Sequence, residues 1–492
     1  MGAEMSDTRA PWSRPGAPAP ARPARALALL GTAQVTLIFT ITMIGVPLPA
    51  IGRQFGVGRP ELVLLSAAYG LSFSGLLLFG GRLSTRYGGR PTLTAGLAVF
   101  AAASVASAVA PGFGALALAR FTQGIGAALI APAAMVLLRE VFPGPGRYRR
   151  AMATWGGLSV LGATAGVVLS GAVTALGSWR LVFGVPVLVA GLALPLVPRL
   201  LPAGRPGTRT PLDLPGAALA TGGITLLDLG LVMAGDRAWS SPAVAAPLGC
   251  GLAALAGFLA VEARGRDPLL PPAFLADRRR AAALMVAGLS AAATTVACLF
   301  LPLYLQQIRG WSAPRTSLAF VPYAVALIAA GRAAGRLVER LRAPAVILVG
   351  LTFAACGLFL LAPLDPHTPY PTGLLPGLLL LPVGVALTFS ASAVLATAGV
   401  PPAQTGLAGG VFNTAIELGP TAGVAVASAL AAARTGHVAP AMSPAGATSD
   451  GYGWSFGATG LALALLATLI AVAVLPRRHT SVTTPETEGD RP

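Results

Sequence analysis

The chain has 492 residues, of which 55% are hydrophobic and only 10% are charged. Soluble domains carry about 25% charged residues, so this composition excludes an ordinary water-soluble enzyme. The net charge is +17, from 34 basic and 17 acidic residues, and every basic residue is an arginine. Walker-type phosphate loops and Schiff-base enzymes need a lysine, so both classes are excluded. Without a Walker-type loop, the chain is also not expected to be driven directly by ATP.

Apolar stretches of the length that crosses a bilayer as a helix, about 20 residues, recur along the whole chain. We predict fourteen transmembrane helices, at residues 26–50, 62–80, 92–110, 114–138, 151–176, 181–200, 215–234, 242–261, 281–307, 316–338, 344–362, 373–398, 406–433 and 456–475. The predicted fold is therefore all-α, a polytopic membrane protein with no room for a sizeable soluble domain. The Pro-, Ala- and Arg-rich ends, 1–25 and 476–492, are predicted to be disordered cytoplasmic tails.

The arginines predict how these helices are oriented. With the N-terminus inside, 24 arginines fall in cytoplasmic segments and 7 fall in external segments. Because positive charge accumulates on cytoplasmic loops, we expect a multi-pass protein of the cell membrane with both termini in the cytoplasm. The basic excess then reflects topology and contact with anionic lipid, and we expect no nucleic-acid partner.

An arginine-rich turn between predicted helices 2 and 3 is the first motif with a mechanism. Its sequence, GRLSTRYGGR, contains Gly81, Arg82, Arg86, Gly88 and Arg90. Such a turn can gate a bundle by pairing with a neighbour in one state, or it can simply anchor a tight turn with positive charge. It resembles the loop signature of the major facilitator superfamily, although Thr85 fills the position of that family's acid. A weaker copy between helices 10 and 11, with Gly335, Glu339 and Arg340, fits the paired halves of such transporters.

Four further segments resemble this superfamily and, within it, the fourteen-helix drug:proton antiporters. They are RFTQGIG from Arg120 in helix 4, the row Gly162, Gly166 and Ser170 in helix 5, LPLYLQ from Leu301 in helix 9, and GLAGGVFNT from Gly406 in helix 13. The resemblance implies two six-helix bundles related by a pseudo-twofold axis, with a two-helix insertion between them. The implied divisions are an N-terminal bundle at 26–200, a linker with inserted helices 7 and 8 at 201–280, helices 9–13 at 281–433, an extracellular loop at 434–455 and helix 14 at 456–475.

Two carboxylates lie well inside the predicted helices, Asp228 in helix 7 and Glu417 in helix 13. An intramembrane acid is costly when ionised, which suits proton loading and release, and the alternative is a structural partner for an arginine or a backbone group. The resemblance adds Arg120 as a third proton-coupling candidate, the alternative being an arginine that snorkels at a helix end. The same resemblance implies an acid in helix 1, where this chain has Thr40. Proton coupling is therefore expected to rest on other residues, or to be altered or lost.

Polar and aromatic residues within the predicted helices are candidates for lining a substrate cavity, because they offer hydrogen bonds and stacking faces. They are Gln34, Tyr69, Gln123, Trp155, Tyr304, Gln307 and Asn413. Taken singly, each can instead pack between helices. The cysteines Cys250, Cys298 and Cys356 are predicted to be small buried packing residues, and we expect no disulfide framework, metal or cofactor.

These features predict a secondary transporter, not an enzyme, that exports amphipathic or hydrophobic compounds by alternating access. We expect a monomer with a small-molecule substrate and exchange for protons, as the resemblance implies. A facilitator or importer of a small metabolite is the alternative on the same fold. A polytopic membrane enzyme is a remote alternative, because such chemistry typically needs acid pairs near the membrane interface to hold a metal diphosphate.

Overall fold

A computed structural model of the chain describes residues 23–45, 47–174, 178–203, 214–234, 237–264, 272–401 and 404–473. Within these ranges the chain forms helices and no strand. The α-helices are α1 (Pro23–Thr42), α2 (Leu48–Phe55), α3 (Arg59–Tyr87), α4 (Gly89–Ala108), α5 (Phe113–Val141), α6 (Pro145–Thr174), α7 (Gly184–Leu200), α8 (Leu214–Ala234), α9 (Pro242–Arg264), α10 (Pro272–Ala276), α11 (Arg278–Leu303), α12 (Ala313–Ala319), α13 (Val321–Leu341), α14 (Ala343–Leu361), α15 (Leu375–Thr397), α16 (Thr405–Val438) and α17 (Pro444–Ala473). Thirteen helical segments of the described residues are long and apolar enough to cross a membrane, and α6, with 30 residues, is of similar length.

The long helices pack as two groups of six with a pair between them in sequence. In the first group, α3 and α4 both pack on α5, α1 packs on α6, and α4 packs on α7. In the second, α14 packs on α15 and α17, while α11 packs on α15 and α16. The two groups meet where α16 crosses α3 and α5, and again where α6 crosses α13 and α15. Helices α8 and α9 pack on each other, and α8 also packs on α3 and α16.

Glycines allow the closest helix crossings. A Cβ added to Gly162 would lie 2.5 Å from the carbonyl oxygen of Val35, and one on Gly166 would lie 2.8 Å from that of Phe39. One turn further along α6, the Ser170 hydroxyl donates to the Met43 carbonyl at 2.5 Å. The row of small residues predicted in helix 5 is therefore the face that α6 presents to α1, and it brings the two backbones into contact.

The two arginine-rich motifs lie in helices, where the sequence predicted turns. The α3 helix runs through Gly81 and Arg86 to Tyr87. It ends at Gly88, whose φ of 94° suits a residue without a Cβ. The second motif likewise lies in the last turns of α13, and that helix ends at Arg342, which has a φ of 66°. Polar residues lowered the local hydropathy and so shortened the predicted spans, but they do not end a helix.

The helices near the end of the chain are also longer than predicted. Helix covers most of 434–455, which the sequence predicted as an extracellular loop, because α16 continues to Val438 and α17 begins at Pro444. An ion pair between these two helices, from Arg434 to Asp450 at 2.6 Å, supplies the polar partner that this low-hydropathy stretch needs. The α9 helix similarly continues past its predicted end at residue 261, so Glu262 lies within it and is buried.

The cysteines are not all buried, which corrects the sequence prediction. Cys250 and Cys356 are exposed on the helix surface and Cys298 is partly exposed, all three as free thiols. In a membrane protein an apolar stretch can face lipid as readily as protein, so apolar neighbours do not imply burial within the bundle. The predicted tails at 1–25 and 476–492 lie outside the described residues, except that residues 23–25 begin α1.

Candidate functional site

A cavity of about 770 Å³ lies between the two helix groups. Its walls come from the end of α1, the start of α3, the end of α8, the later half of α11 and the middle of α16, with Phe389 of α15. The ends of α1 and α8 and the start of α3 lie at one end of the bundle, which we call the open end. Aliphatic side chains dominate the lining, and no arginine is among the lining residues that the structure describes. Drug-sized ligands occupy cavities of this volume and character.

Two carboxylates face this cavity, and they are the two that the sequence placed inside helices. Asp228 of α8 is 4% exposed and Glu417 of α16 is 9% exposed, and both line the cavity. Asp228 Oδ2 accepts a hydrogen bond from the Ser74 hydroxyl at 3.3 Å, and Thr421 lies beside the same carboxylate. Asp228 and Glu417 are close enough to interact electrostatically. The site therefore places two carboxyl groups, from different helices, in the lining of an apolar cavity.

Arg120 lies behind the cavity wall and is fully buried. Its Nη1 donates to the Thr40 carbonyl and to Gln123 Oε1, both at 3.0 Å. Gln123 Nε2 in turn donates to the Ser104 hydroxyl at 2.7 Å. The arginine is thus held inside the bundle by groups of α1 and of its own helix, and its part in proton coupling stays a prediction.

Tyr69 connects this buried arginine with the cavity. The Arg120 Cζ lies 5.0 Å from the centre of the Tyr69 ring, and the tyrosine hydroxyl donates to the Leu37 carbonyl at 3.1 Å. Glu417 is also near enough to Tyr69 to interact with it electrostatically. Two of the three predicted proton-coupling residues, Arg120 and Glu417, thus flank one buried tyrosine. The third, Asp228, lies near Glu417.

The opposite end of the bundle, which we call the closed end, is sealed by backbone contact between α3 and α16. A Cβ added to Gly81 would lie 2.5 Å from the Gly406 carbonyl oxygen, and one on Gly410 would lie 2.8 Å from that of Leu77. Arg139 at the end of α5 reaches across to the other group, donating to the Val400 carbonyl at 2.7 Å. Among the described residues, these contacts bring the backbones of the two groups together along this seam.

A second contact joins the groups at the closed end, between α6 and α13. Arg150 Nε and Nη2 donate to the two oxygens of Glu339, each at 2.9 Å, in a bidentate ion pair. Gly335 lies one turn away, where an added Cβ would be 3.9 Å from Arg150 Cγ. Of the predicted gating residues, Glu339, Gly335 and Gly81 therefore touch the opposite group.

The remaining predicted gating residues also sit near the closed end. Arg86 lies over the adjacent Tyr87 ring at 5.4 Å, Arg340 is exposed, and Arg82 and Arg90 are partly exposed. Thr85 donates to the Gly81 carbonyl within its own helix at 3.1 Å. Sequence analysis did not single out Arg139 and Arg150, because each looks like an ordinary arginine at a helix end. Their partners in the other group are evident only from the fold.

The predicted substrate-cavity residues do not line the cavity. Tyr304 is buried and donates to the Asp365 carbonyl at 2.7 Å, and Gln307 is exposed. Trp155, Gln34, Tyr69, Gln123 and Asn413 are fully buried. Gln34 lies one turn from cavity residue Ile38, and Asn413 lies one turn from Glu417, both toward the closed end. The sequence missed the actual lining, which is mostly aliphatic with threonines, because such residues look the same wherever they lie.

Two packed groups of long apolar helices around a central cavity with buried charges are the architecture of a secondary transporter. The sequence model of the Major Facilitator Superfamily matches residues 29–424 and 284–491, and the chain belongs to that family. The resemblance stated from the motifs is thereby confirmed.

Named relatives share most of their length with this chain. A cephamycin export protein of Amycolatopsis lactamdurans is 35% identical over 92% of each chain. A puromycin resistance protein of Streptomyces alboniger is 36% identical over 86% of this chain and 85% of its own. Among solved structures, a human organic anion transporter superposes with a TM-score of 0.66 at 17% identity, covering 91% of this chain and 99% of its own, which supports the fold.

Proposed function

We propose that the protein exports amphipathic or hydrophobic compounds across the cell membrane by alternating access. The cavity carries this proposal, because it is apolar, of drug size, open at one end of the bundle and sealed at the other. A binding site that is accessible from one side at a time is the requirement for alternating access. Relatives named for antibiotic export and resistance support export as the direction.

The proposal includes fourteen membrane spans in two six-helix bundles, with α8 and α9 as a two-helix insertion, in a monomer. Both termini lie in the cytoplasm, as the distribution of arginines favours. The closed end, which holds Arg139 and Arg150, is then cytoplasmic and the cavity opens to the outside. This is the state in which an exporter releases its substrate.

Proton exchange in this proposal is carried by the carboxylates in the cavity wall. Glu417 and Asp228 face the cavity, so each is reached by external protons in this state. Arg120 and Glu417 flank Tyr69, so the proposal places a buried positive charge near the carboxylates that load and release the proton. Thr40 stands where the family resemblance implies an acid in helix 1. The backbone carbonyl of Thr40 accepts a hydrogen bond from Arg120.

Gating in this proposal depends on the contacts of the closed end. The Arg150–Glu339 pair and the Arg139–Val400 bond each join the two bundles. Both must break before the cavity opens to the cytoplasm. Gln34 and Asn413, which lie one turn below the cavity, are then the first buried polar groups that an entering substrate meets. In this way they serve as substrate-cavity residues in the opposite state.

Efflux of ethidium, a fluorescent amphiphilic cation, tests the proposal. Proteoliposomes containing wild-type protein are compared with and without an imposed pH gradient, and Glu417→Gln is measured beside them. Gradient-driven efflux that the variant loses supports exchange for protons at Glu417. Efflux that ignores both the gradient and the substitution favours the facilitator alternative. Failure to move ethidium or any other tested amphiphile would count against export.

A further inference from the structure

Three arginines form a row on the outer face of α13. Arg332, Arg336 and Arg340 are spaced four residues apart, so they follow one another along one side of the helix. All three are exposed, and we call them the arginine row. The opposite side of the helix packs into the bundle with Tyr323, Leu327, Ala330, Ala334, Gly335 and Val338.

The arginine row extends from the closed end into the depth of the membrane. The segment Arg315–Leu341 is long and apolar enough to cross a bilayer, and α13 ends at Leu341. At a rise of about 1.5 Å per residue, the backbone of Arg332 lies about 14 Å from that end, well within a hydrocarbon core of about 30 Å. Arg340 can extend to the level of the lipid headgroups, whereas Arg332 is attached too deep for its side chain to reach them.

Apolar residues continue the same face of α13 toward the open end. Ala329 lies one turn beyond Arg332 and is exposed. Val325 lies a further turn along and is 60% exposed. The outer face of this helix is therefore cationic in the half near the closed end and apolar in the half near the middle of the membrane.

The positive charge of the arginine row has no counter-charge within the part of the chain that the structure describes. Within that part, none of its three side chains makes a hydrogen bond or an ion pair. Glu339, the acid next to Arg340, is engaged through both of its oxygens by Arg150. Like charges one turn apart on a helix repel each other, and a charge that faces hydrocarbon without a partner is costly. The row therefore requires an anion from outside the chain.

A phospholipid fits this face better than a soluble anion or a second copy of the chain. A soluble anion would have to leave water to reach Arg332, whereas a lipid phosphate is already held in the bilayer and its acyl chains can cover Ala329 and Val325. A second copy would have to present exposed acids at the same depth. Asp228 and Glu417, the acids well inside the described helices, are buried.

We propose that Arg332, Arg336 and Arg340 bind one anionic phospholipid, with its phosphate drawn in toward Arg332 and its acyl chains on the apolar half of α13. Arginine binds phosphate through charge-assisted and often bidentate hydrogen bonds. Three cations favour a headgroup with a net negative charge over a zwitterionic headgroup, whose own cation they repel. The proposal goes beyond the proposed function, because this site lies outside the central cavity and takes no substrate.

Quenching by spin-labelled lipids tests the proposal. In a cysteine-free background, a bimane fluorophore is attached to Ala329→Cys, beside the arginine row. A second protein carries the fluorophore at Leu252→Cys, which replaces an exposed residue of α9. The purified full-length protein in detergent is titrated with phosphatidylglycerol or with phosphatidylcholine, each with a nitroxide on an acyl chain.

The variants remove the arginine row in steps. Arg332→Gln is compared with the triple variant in which glutamine replaces all three arginines. The control replaces Arg278 and Arg279, two exposed arginines at the start of α11, with glutamine. This control removes positive charge near the same end of the bundle and leaves the arginine row intact.

The fluorophore at Ala329→Cys is expected to be quenched by phosphatidylglycerol at a concentration at least about tenfold lower than by phosphatidylcholine. At Leu252→Cys the two lipids are expected to quench alike. Arg332→Gln should lower the preference about fivefold, which is the effect of one arginine beside anionic lipid, and the triple variant should remove it. The Arg278 and Arg279 control should keep the preference. Unchanged quenching by phosphatidylcholine shows that each variant keeps its fold.

Three results would overturn the proposal. The first is equal quenching by the two lipids at Ala329→Cys when the arginine row is intact. The second is a preference for phosphatidylglycerol that survives the triple variant, because the lipid would then be held elsewhere. The third is displacement of phosphatidylglycerol by an equal concentration of inorganic phosphate, because the row would then bind the phosphate group without the lipid.

Discussion

Replacing the cavity carboxylates one at a time should lower, stepwise, the substrate gradient that the protein sustains. Two carboxylates, Asp228 and Glu417, line the cavity, so one transport cycle can exchange at most two protons there for one substrate molecule. Each proton that moves down a gradient of one pH unit supplies about 1.4 kcal/mol, which is a factor of about ten in concentration. For a neutral substrate the upper limit is therefore about a hundredfold for the wild type and about tenfold for either single variant. The double variant should sustain no gradient.

The assay uses proteoliposomes loaded with the neutral N-acetyl dansylcadaverine at a fixed gradient of one pH unit. Valinomycin with equal potassium on both sides removes the membrane potential, so that only the pH gradient drives exchange. The steady-state ratio of probe across the membrane is compared for wild type, Asp228→Asn, Glu417→Gln and the double variant. Passive leak lowers every ratio, so the order of the four proteins carries the test. Glu262→Gln should match the wild type.

A double variant that still sustains a gradient would refute this reasoning, because the proton would then be carried outside the cavity wall. A single variant at the wild-type ratio would show that its carboxylate carries no proton, and would leave the other as the sole carrier.

Three further predictions concern the closed end and the C-terminal helices. Arg150→Ala and Glu339→Ala should change the ethidium efflux rate alike, and the double variant should be no worse than either one, since each single change breaks the same ion pair; additive effects would contradict this. Gly410→Val should hold the closed end open, because a Cβ there lies 2.8 Å from the Leu77 carbonyl oxygen. In a cysteine-free background, labelling of a cysteine placed at Thr405 should then rise severalfold. Gly436→Val is the control, because nothing lies within 4 Å of a Cβ there, and it should leave the labelling unchanged. Tyr304→Phe should lower the free energy of unfolding by about 1 kcal/mol through loss of the hydroxyl bond to Asp365, seen as a lower melting temperature with ethidium efflux intact.

Hydropathy predicted the long helices well, because a bilayer fixes the length and composition of what crosses it. Helix ends were predicted poorly, since they depend on local backbone geometry. Gly88 and Arg342 end helices with positive φ, and neither is marked by a change in hydropathy. The stretch around Arg434 and Asp450 is helical because two helices supply each other's polar partners, which no window along one segment can detect.

The candidate site was predictable in its charges and not in its walls. The sequence marks out three charged residues within predicted helices, Asp228, Glu417 and Arg120. Charge inside a membrane helix is costly, so such residues usually have a partner or a function. The lining residues are mostly aliphatic, so nothing distinguishes Leu231 from a residue that faces lipid. Large polar residues such as Gln123 and Tyr304 suggested a cavity, but Gln123 bonds to a neighbouring helix and Tyr304 to the segment that follows α14. Which face of a helix meets the cavity is decided by packing between helices far apart in sequence.

The charges of the interior bear on the order in which protons are taken up and released. Arg120 is held by neutral acceptors, and its Nε and Nη2 have no partner among the described residues. With Asp228 and Glu417 ionised, the three groups sum to one negative charge. A first proton brings that sum to zero and lowers the cost of charge in an apolar interior. A second proton leaves a net positive charge, so of the two it is the one more readily released. With an ionised acid in place of Thr40, Arg120 would already be neutralised and the interior would need both protons to reach zero charge.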